Sequence, residues 1–174
     1  CLAGTRTRFL DHIYAWIKNP ESDHALVLFG KAGTGKSSIA HEILEHFDNT
    51  KLSITSFVFV RSESQKALHN FLPTLAYNLA KLYPSFKSEL GKSMKESEWM
   101  GTWQYKNHFN CLLQQPFDKL QTEKAPPIVI VIDALDECGD TVDKNGLHIF
   151  LAQNISRLPS NIRVLITSRT EEDI

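Results

Sequence analysis

Apolar residues recur along this chain at two different spacings. Phe9, Leu10, Ile13, Trp16 and Ile17 fall at the interval of an amphipathic helix, with Thr5 available as its cap, and Asn19-Pro20 breaks the pattern. Ala25 to Phe29 is a short, continuous apolar run ahead of a Gly-rich loop, which predicts a strand buried on both faces, as in a parallel sheet. Helical spacing returns from Ser37 to Phe47 through Ile39, Ile43 and Leu44. Ile54 to Val60, rich in β-branched and aromatic residues, predicts a second strand. Leu68, Phe71, Leu72, Leu75, Ala76 and Leu79 mark the next helix, and Pro84 is placed to open another, where its missing N–H does little harm.

The pattern weakens from about 91 to 104, where Trp99, Met100 and Trp103 predict a surface helix or loop and packing residues rather than a binding platform. Phe109, Leu112 and Leu113 begin a further helix, which Pro116 is expected to kink or end. After a polar connection, Ile128 to Ile132 is the strongest buried-strand signal in the chain. Leu147, Phe150, Leu151 and Ile155 predict a helix, and Ile162 to Thr167 a fourth strand. Strands alternating with helices predict an α/β domain with a mainly parallel sheet.

Two segments carry recognisable chemistry. Gly30-Lys31-Ala32-Gly33-Thr34-Gly35-Lys36-Ser37 fits the P-loop pattern G-x-x-x-x-G-K-[ST] in full, between a predicted strand and a predicted helix. Glycines allow the backbone to curl so that successive N–H groups face phosphate oxygens, and the following helix adds its positive end. Lys36 is expected to reach β- and γ-phosphates, the Ser37 hydroxyl to ligate magnesium, and Ser38 to line the nucleotide site. Ordinary residue frequencies give a chance match on the order of one per cent in such a chain, so the strand–loop–helix context decides for phosphate binding.

The apolar run ending in Asp133-Ala134-Leu135-Asp136-Glu137 is a Walker B arrangement. It predicts Asp133 at the carboxyl end of its strand, where ligands bind in open α/β sheets, holding magnesium. Asp136 or Glu137 could then orient or deprotonate an attacking water, with Glu137 favoured as the base. Thr167-Ser168-Arg169 ends the fourth strand, which points Arg169 at a γ-phosphate as a sensor or a stabiliser of transition-state charge.

Composition narrows the classes. A chain of 174 residues holds one domain with a sizeable core. With 42% hydrophobic and 22% charged residues it reads as globular, and a formal net charge of −1 gives no bulk attraction to nucleic acid or acidic lipid. No apolar run approaches the roughly 20 residues of a membrane span, and no signal peptide is expected. The three cysteines, Cys1, Cys111 and Cys138, are widely spaced and odd in number, against a disulfide framework or zinc site and consistent with a reducing cytoplasm. A start at Cys1 rather than Met is expected of a piece of a longer chain.

Together these residues resemble a NACHT domain of the STAND class of P-loop signalling NTPases, of the kind found in fungal NLR-like proteins. The resemblance spans nearly all of residues 1–174 and rests on Cys1-Leu2-Ala3-Gly4-Thr5-Arg6, Gly30 to Ser37, Phe57-Val58-Phe59-Val60-Arg61, Phe71-Leu72-Pro73-Thr74-Leu75-Ala76, Asp133 to Cys138 and Leu165-Ile166-Thr167-Ser168-Arg169. It implies a three-layer α/β/α P-loop fold with strand order 5-1-4-3-2, the fifth strand lying outside this chain and the Ala25–Phe29 edge left open to association. It implies magnesium and hydrolysis chemistry at the acidic triplet, a sensor at Arg169, and Gly4-Thr5-Arg6 near the adenine or ribose. The implied function is a slow ATPase switch that binds ATP or ADP with magnesium and controls homo-oligomerisation in innate nonself recognition or cell death.

A small GTPase is disfavoured because no Asn-Lys-x-Asp guanine motif occurs, though GTP stays open as a ligand. An AAA+-like motor would bring an arginine finger and pore loop that the sequence does not display, and a small-molecule kinase an Arg-rich lid. A nucleotide-binding scaffold without turnover remains the other alternative.

Overall fold

The computed structural model describes residues 6–48, 52–96, 104–120, 127–139 and 141–170. The first helix, α1 (Thr7–Lys18), buries Leu10, Ile13 and Ile17 along one stripe. Thr5 lies outside the described residues. The N-cap position is held by Arg6, whose side chain makes no cap hydrogen bond. Strand β1 (Ala25–Phe29) leads into the Gly-rich loop and α2 (Lys36–Asp48), and then β2 (Ser53–Val58), α3 (Ser64–Leu82) and α4 (Pro84–Glu96) follow. Trp99, Met100 and Trp103 fall outside the described residues.

The helix begun by Phe109 does not end at Pro116. The chain runs helically from α5 (Tyr105–Phe109) through a π-helical turn at Asn110–Gln114 into α6 (Gln115–Asp118), with Pro116 in the first turn of the last piece. A proline inside a helix lacks an N–H and crowds the carbonyl four residues back. The widened turn just before it relieves both demands, so the helix re-registers instead of stopping.

Strands β3 (Ile128–Asp133) and β4 (Ile162–Ser168) complete a four-stranded, all-parallel sheet in the order β1-β4-β3-β2, with α7 (Thr141–Asn154) between them in sequence. This is the order implied for strands one to four, and no fifth strand occurs among the described residues. Alternation along β3 builds two cores. Ile128, Ile130 and Ile132 pack on the side of α3 to α7, and Val129 and Val131 on the side of α1 and α2. Each such side chain contributes about 1.5–3 kcal/mol when buried, and β3, apolar from Ile128 to Ile132, lies inside the sheet with every residue buried. Cys111 and Cys138 are both buried.

The expectation that Ala25–Phe29 is buried on both faces fails. Among the described residues β1 pairs only with β4, Leu28 is its only buried residue, and Val27 and Phe29 remain 40% and 65% exposed. An apolar run reports a preference for burial but not which neighbour supplies it.

At the amino end of the sheet, Arg163 interrupts the apolar run of β4 and is 1% exposed. Its Nη1 donates to the carbonyls of Ser160 (2.6 Å) and Ile162 (3.1 Å), and its Nη2 to those of Asn19 (2.7 Å) and Pro20 (3.1 Å). The guanidinium thus closes the turn after α1 onto β4. Burial holds its pKa below the ordinary arginine value.

Candidate functional site

The carboxyl ends of β1, β3 and β4 converge on one cleft of about 310 Å³. It is lined by Ala32, Gly33, Gly35, Lys36, Ser37 and Ser38 from the loop and start of α2, by Ala134, Asp136 and Glu137 after β3, and by Thr167 and Arg169 at the end of β4. Strand order brings these groups together, because β4 lies between β1 and β3.

Gly33 and Gly35 adopt φ of 76° and 82°, which only glycine takes at no steric cost. The loop is closed on itself by Thr34, whose hydroxyl donates to Lys31 O at 2.8 Å. The Lys36 ammonium donates to Gly30 O (2.6 Å) and Lys31 O (3.0 Å), holding a cation at the mouth of the loop where α2 begins.

Behind the loop, Asp133 ends β3 and is 7% exposed. Its Oδ1 accepts the Ser37 hydroxyl at 3.2 Å across 96 residues of sequence, and also the Thr167 hydroxyl. Thr167 in turn accepts the Ala134 N–H at 2.9 Å. Ala134 has φ of 56°, a left-handed conformation uncommon for a residue with a Cβ. That turn carries the chain out of β3 and into the short helical turn Leu135–Glu137, which presents the next two carboxylates.

Asp136 is almost fully buried and faces Arg169. The Arg169 N–H donates to Asp136 Oδ1 at 3.1 Å, and Arg169 Nε stands 3.1 Å from Oδ2 as an ion pair without hydrogen-bond alignment. Glu137 is more open. Its Oε1 lies 3.4 Å from Arg169 Nη2, and its Oε2 accepts the Arg61 N–H at 3.1 Å, tying the loop after β2 to the same cluster.

The residues present suit a hard cation bound with a nucleotide. Among the described residues no group of three or more His, Cys, Asp or Glu could hold a metal. One hydroxyl and one carboxylate beside a phosphate cradle are nonetheless the protein share that magnesium takes when phosphate oxygens and water complete its shell. Thr5 lies outside the described residues, and Arg6 reaches the loop, donating to Thr34 O at 2.6 Å and Gly35 O at 3.3 Å.

Sequence reasoning named Thr167 only as part of a strand ending and overlooked the Arg61 N–H. The signal for Thr167 was present, as a hydroxyl closing an otherwise apolar strand beside a Walker B carboxylate. A backbone donor such as Arg61 N–H leaves no trace in residue identity.

A family model described as Nephrocystin 3, N-terminal, matches residues 4–169. No curated protein matches the chain by sequence. Among solved structures, the chain resembles Cdc6p from Pyrobaculum aerophilum (TM-score 0.52, 13% identity, covering 98% of this chain and 40% of that one). It also resembles Drosophila ORC bound to DNA (TM-score 0.50, 13% identity, 96% of this chain and 39% of that one). The chain therefore spans about two fifths of these structures, and at such identity the likeness shows the fold alone. Among the described residues no helix is long and apolar enough to cross a membrane.

Proposed function

The chain belongs to the Nephrocystin 3 N-terminal family, a NACHT-like P-loop NTPase region, and from that membership and the geometry of the cleft we propose that residues 1–174 form a nucleotide-binding domain that binds ATP with magnesium and hydrolyses it slowly. The observation that carries the reading is the contact of Ser37 with Asp133, which joins the Walker A hydroxyl to the Walker B carboxylate at the mouth of a loop built from positive-φ glycines.

In this reading the N–H groups of Gly33 to Ser37 and the Lys36 ammonium bind the phosphates, which compete for that ammonium with the carbonyls of Gly30 and Lys31. Ser37 and Asp133 hold magnesium, which neutralises charge on the phosphates when bound. Glu137 accepts the proton of the attacking water, since its side chain is 24% exposed whereas that of Asp136 is 3% exposed. Arg169 contacts the γ-phosphate as that group draws it from the acids. ATP is favoured over GTP because no guanine-reading motif is present.

Arg169 bridging the β3 and β4 ends supports the further reading of a switch, in which nucleotide state controls self-assembly in signalling. The Drosophila structure is described as DNA-bound, but a net charge of −1 lends no support to such a partner here.

The test is equilibrium binding of ATP, ADP and GTP with and without magnesium, followed by turnover and by light scattering in each nucleotide. A folded protein that binds none of them sinks the proposal. Binding without turnover would leave a nucleotide scaffold and remove the enzyme.

A further inference from the structure

Arg6 touches the P-loop without lining the cleft. It adopts φ of 62° and ψ of 22°, and its carbonyl accepts the N–H groups of Phe9 and Leu10, both at 3.0 Å, so α1 begins on it. Its side chain leaves the helix uncapped and forks across the loop to the carbonyls of Thr34 and Gly35. A methyl group at Gly35 would stand 2.6 Å from Nη1 and 3.0 Å from Nη2, so the bare α-carbon there is what admits the guanidinium.

Those carbonyls belong to consecutive peptide groups. The Thr34 carbonyl shares its plane with the Gly35 N–H, and the Gly35 carbonyl shares its plane with the Lys36 N–H. Every peptide here is trans, so C=O and N–H point in opposite directions. Arg6 lines a groove of about 630 Å³ with Phe9, Phe29, Thr34 and Lys36, whereas the cleft that shares Lys36 with it has Gly35 in its wall but not Arg6. The Gly35 carbonyl also accepts the Ile39 N–H at 3.0 Å as α2 begins, so the shorter contact of Arg6, to the Thr34 carbonyl, is the one that turns a peptide and aims the Gly35 N–H toward the cleft. A cation on the carbonyl oxygens also polarises those peptides so that the N–H ends become better donors.

We propose that Arg6 is a positioning residue that pre-organises the phosphate cradle, acting on the phosphates of the nucleotide through the Thr34 and Gly35 peptides rather than on its base or sugar. The inference rests on the nucleotide reading above and departs from the adenine or ribose contact that family resemblance implied for Arg6.

Two ligands separate the possibilities. Magnesium ATP and magnesium tripolyphosphate share the phosphate chain, but only the first has a base and ribose. Affinities of both are measured by calorimetry for the wild-type chain, Arg6→Ala and Arg6→Lys, with thermal melts of each ligand-free protein. The expected result is a loss of about tenfold for both ligands in Arg6→Ala. Arg6→Lys should show a smaller common loss, since one ammonium retains part of the contact without the fork. Loss of ATP binding with tripolyphosphate binding intact would place Arg6 on the base or ribose and overturn the proposal, as would unchanged affinity for both. If Arg6→Ala does not fold, Arg6→Lys carries the test under the same criterion of a common factor. A folded wild-type chain that binds neither ligand overturns the phosphate-cradle reading itself, and the role of Arg6 with it.

Discussion

Asp136 and Arg169, 33 residues apart in sequence, meet through both the backbone and the side chain of the arginine. The Arg169 N–H donates to one carboxylate oxygen of Asp136, and Nε stands 3.1 Å from the other. The same guanidinium reaches Glu137 at 3.4 Å. One cation therefore fixes the ends of β3 and β4 relative to each other, and it is shared by two acids that chemistry would use differently.

That division of labour can be measured. Glu137→Gln should lower turnover by at least about a hundredfold, the usual worth of a general base, while leaving nucleotide affinity within about threefold. Asp136→Asn keeps an acceptor for the Arg169 N–H and should lower turnover by only about tenfold. Single-turnover hydrolysis and equilibrium binding on both variants check this. A larger turnover defect in Asp136→Asn than in Glu137→Gln would reverse the assignment.

Lys36→Ala should weaken ATP by one to two decades, because a charge-assisted contact to phosphate is worth about 1.5–3 kcal/mol. The fold should survive, since among the described residues the Lys36 ammonium bonds to carbonyls of its own loop. Titration of a fluorescent ATP analogue, with a thermal melt alongside, is the measurement. Undiminished affinity in a folded variant would remove Lys36 from the phosphate site.

Asp133→Asn should abolish most of the enhancement of nucleotide binding by magnesium. The amide can still accept the Ser37 and Thr167 hydroxyls, so the local hydrogen bonds survive while the charge a hard cation requires is lost. Calorimetry with and without magnesium reads it out directly. Equal enhancement in both proteins would count against Asp133 as a metal ligand.

His24 gives the stability a defined acid dependence. Burial is the largest cause holding its pKa below the ordinary value of 6.5, with the Arg163 cation second and Asp23 opposing, and its Nδ1 is buried without a hydrogen-bond partner. The unfolded chain therefore takes up a proton that the folded chain resists. Its contribution is fully present above the unfolded pKa and is lost as pH falls through the folded one. Thermal melts between about pH 5 and about pH 8 should show a decline on the acid side that is shallower in His24→Gln. Identical slopes in the two proteins would exclude His24 as the cause.

Much of this protein is set locally, and so was legible residue by residue. The P-loop requires glycines at positive φ, and Gly33 and Gly35 adopt it. Alternate residues of β3 feed opposite cores because side chains in a strand alternate between faces, so an uninterrupted apolar run announced a central strand. Asp133 falls at the end of that run, and its position followed from the strand boundary alone.

The family resemblance implied the strand order, but hydrophobic periodicity by itself could not supply encounters that depend on which strands become neighbours. Periodicity reports that a segment is buried, not beside what. It could not say that β4 would enter between β1 and β3, bringing the Thr167 hydroxyl onto Asp133 and Arg169 onto Asp136 and Glu137. Nor could periodicity show the open β1 edge, with Val27 and Phe29 exposed, that only the resemblance implied, or that Arg163 would be anchored on four backbone carbonyls. Arg6 carries no local signature either. Its place against the loop exists only because α1 packs beside β1 and Gly35 has no side chain to keep the guanidinium away. Local conformation follows from residue identity, but convergence at the cleft follows from strand order, and strand order is fixed by the packing of the whole sheet.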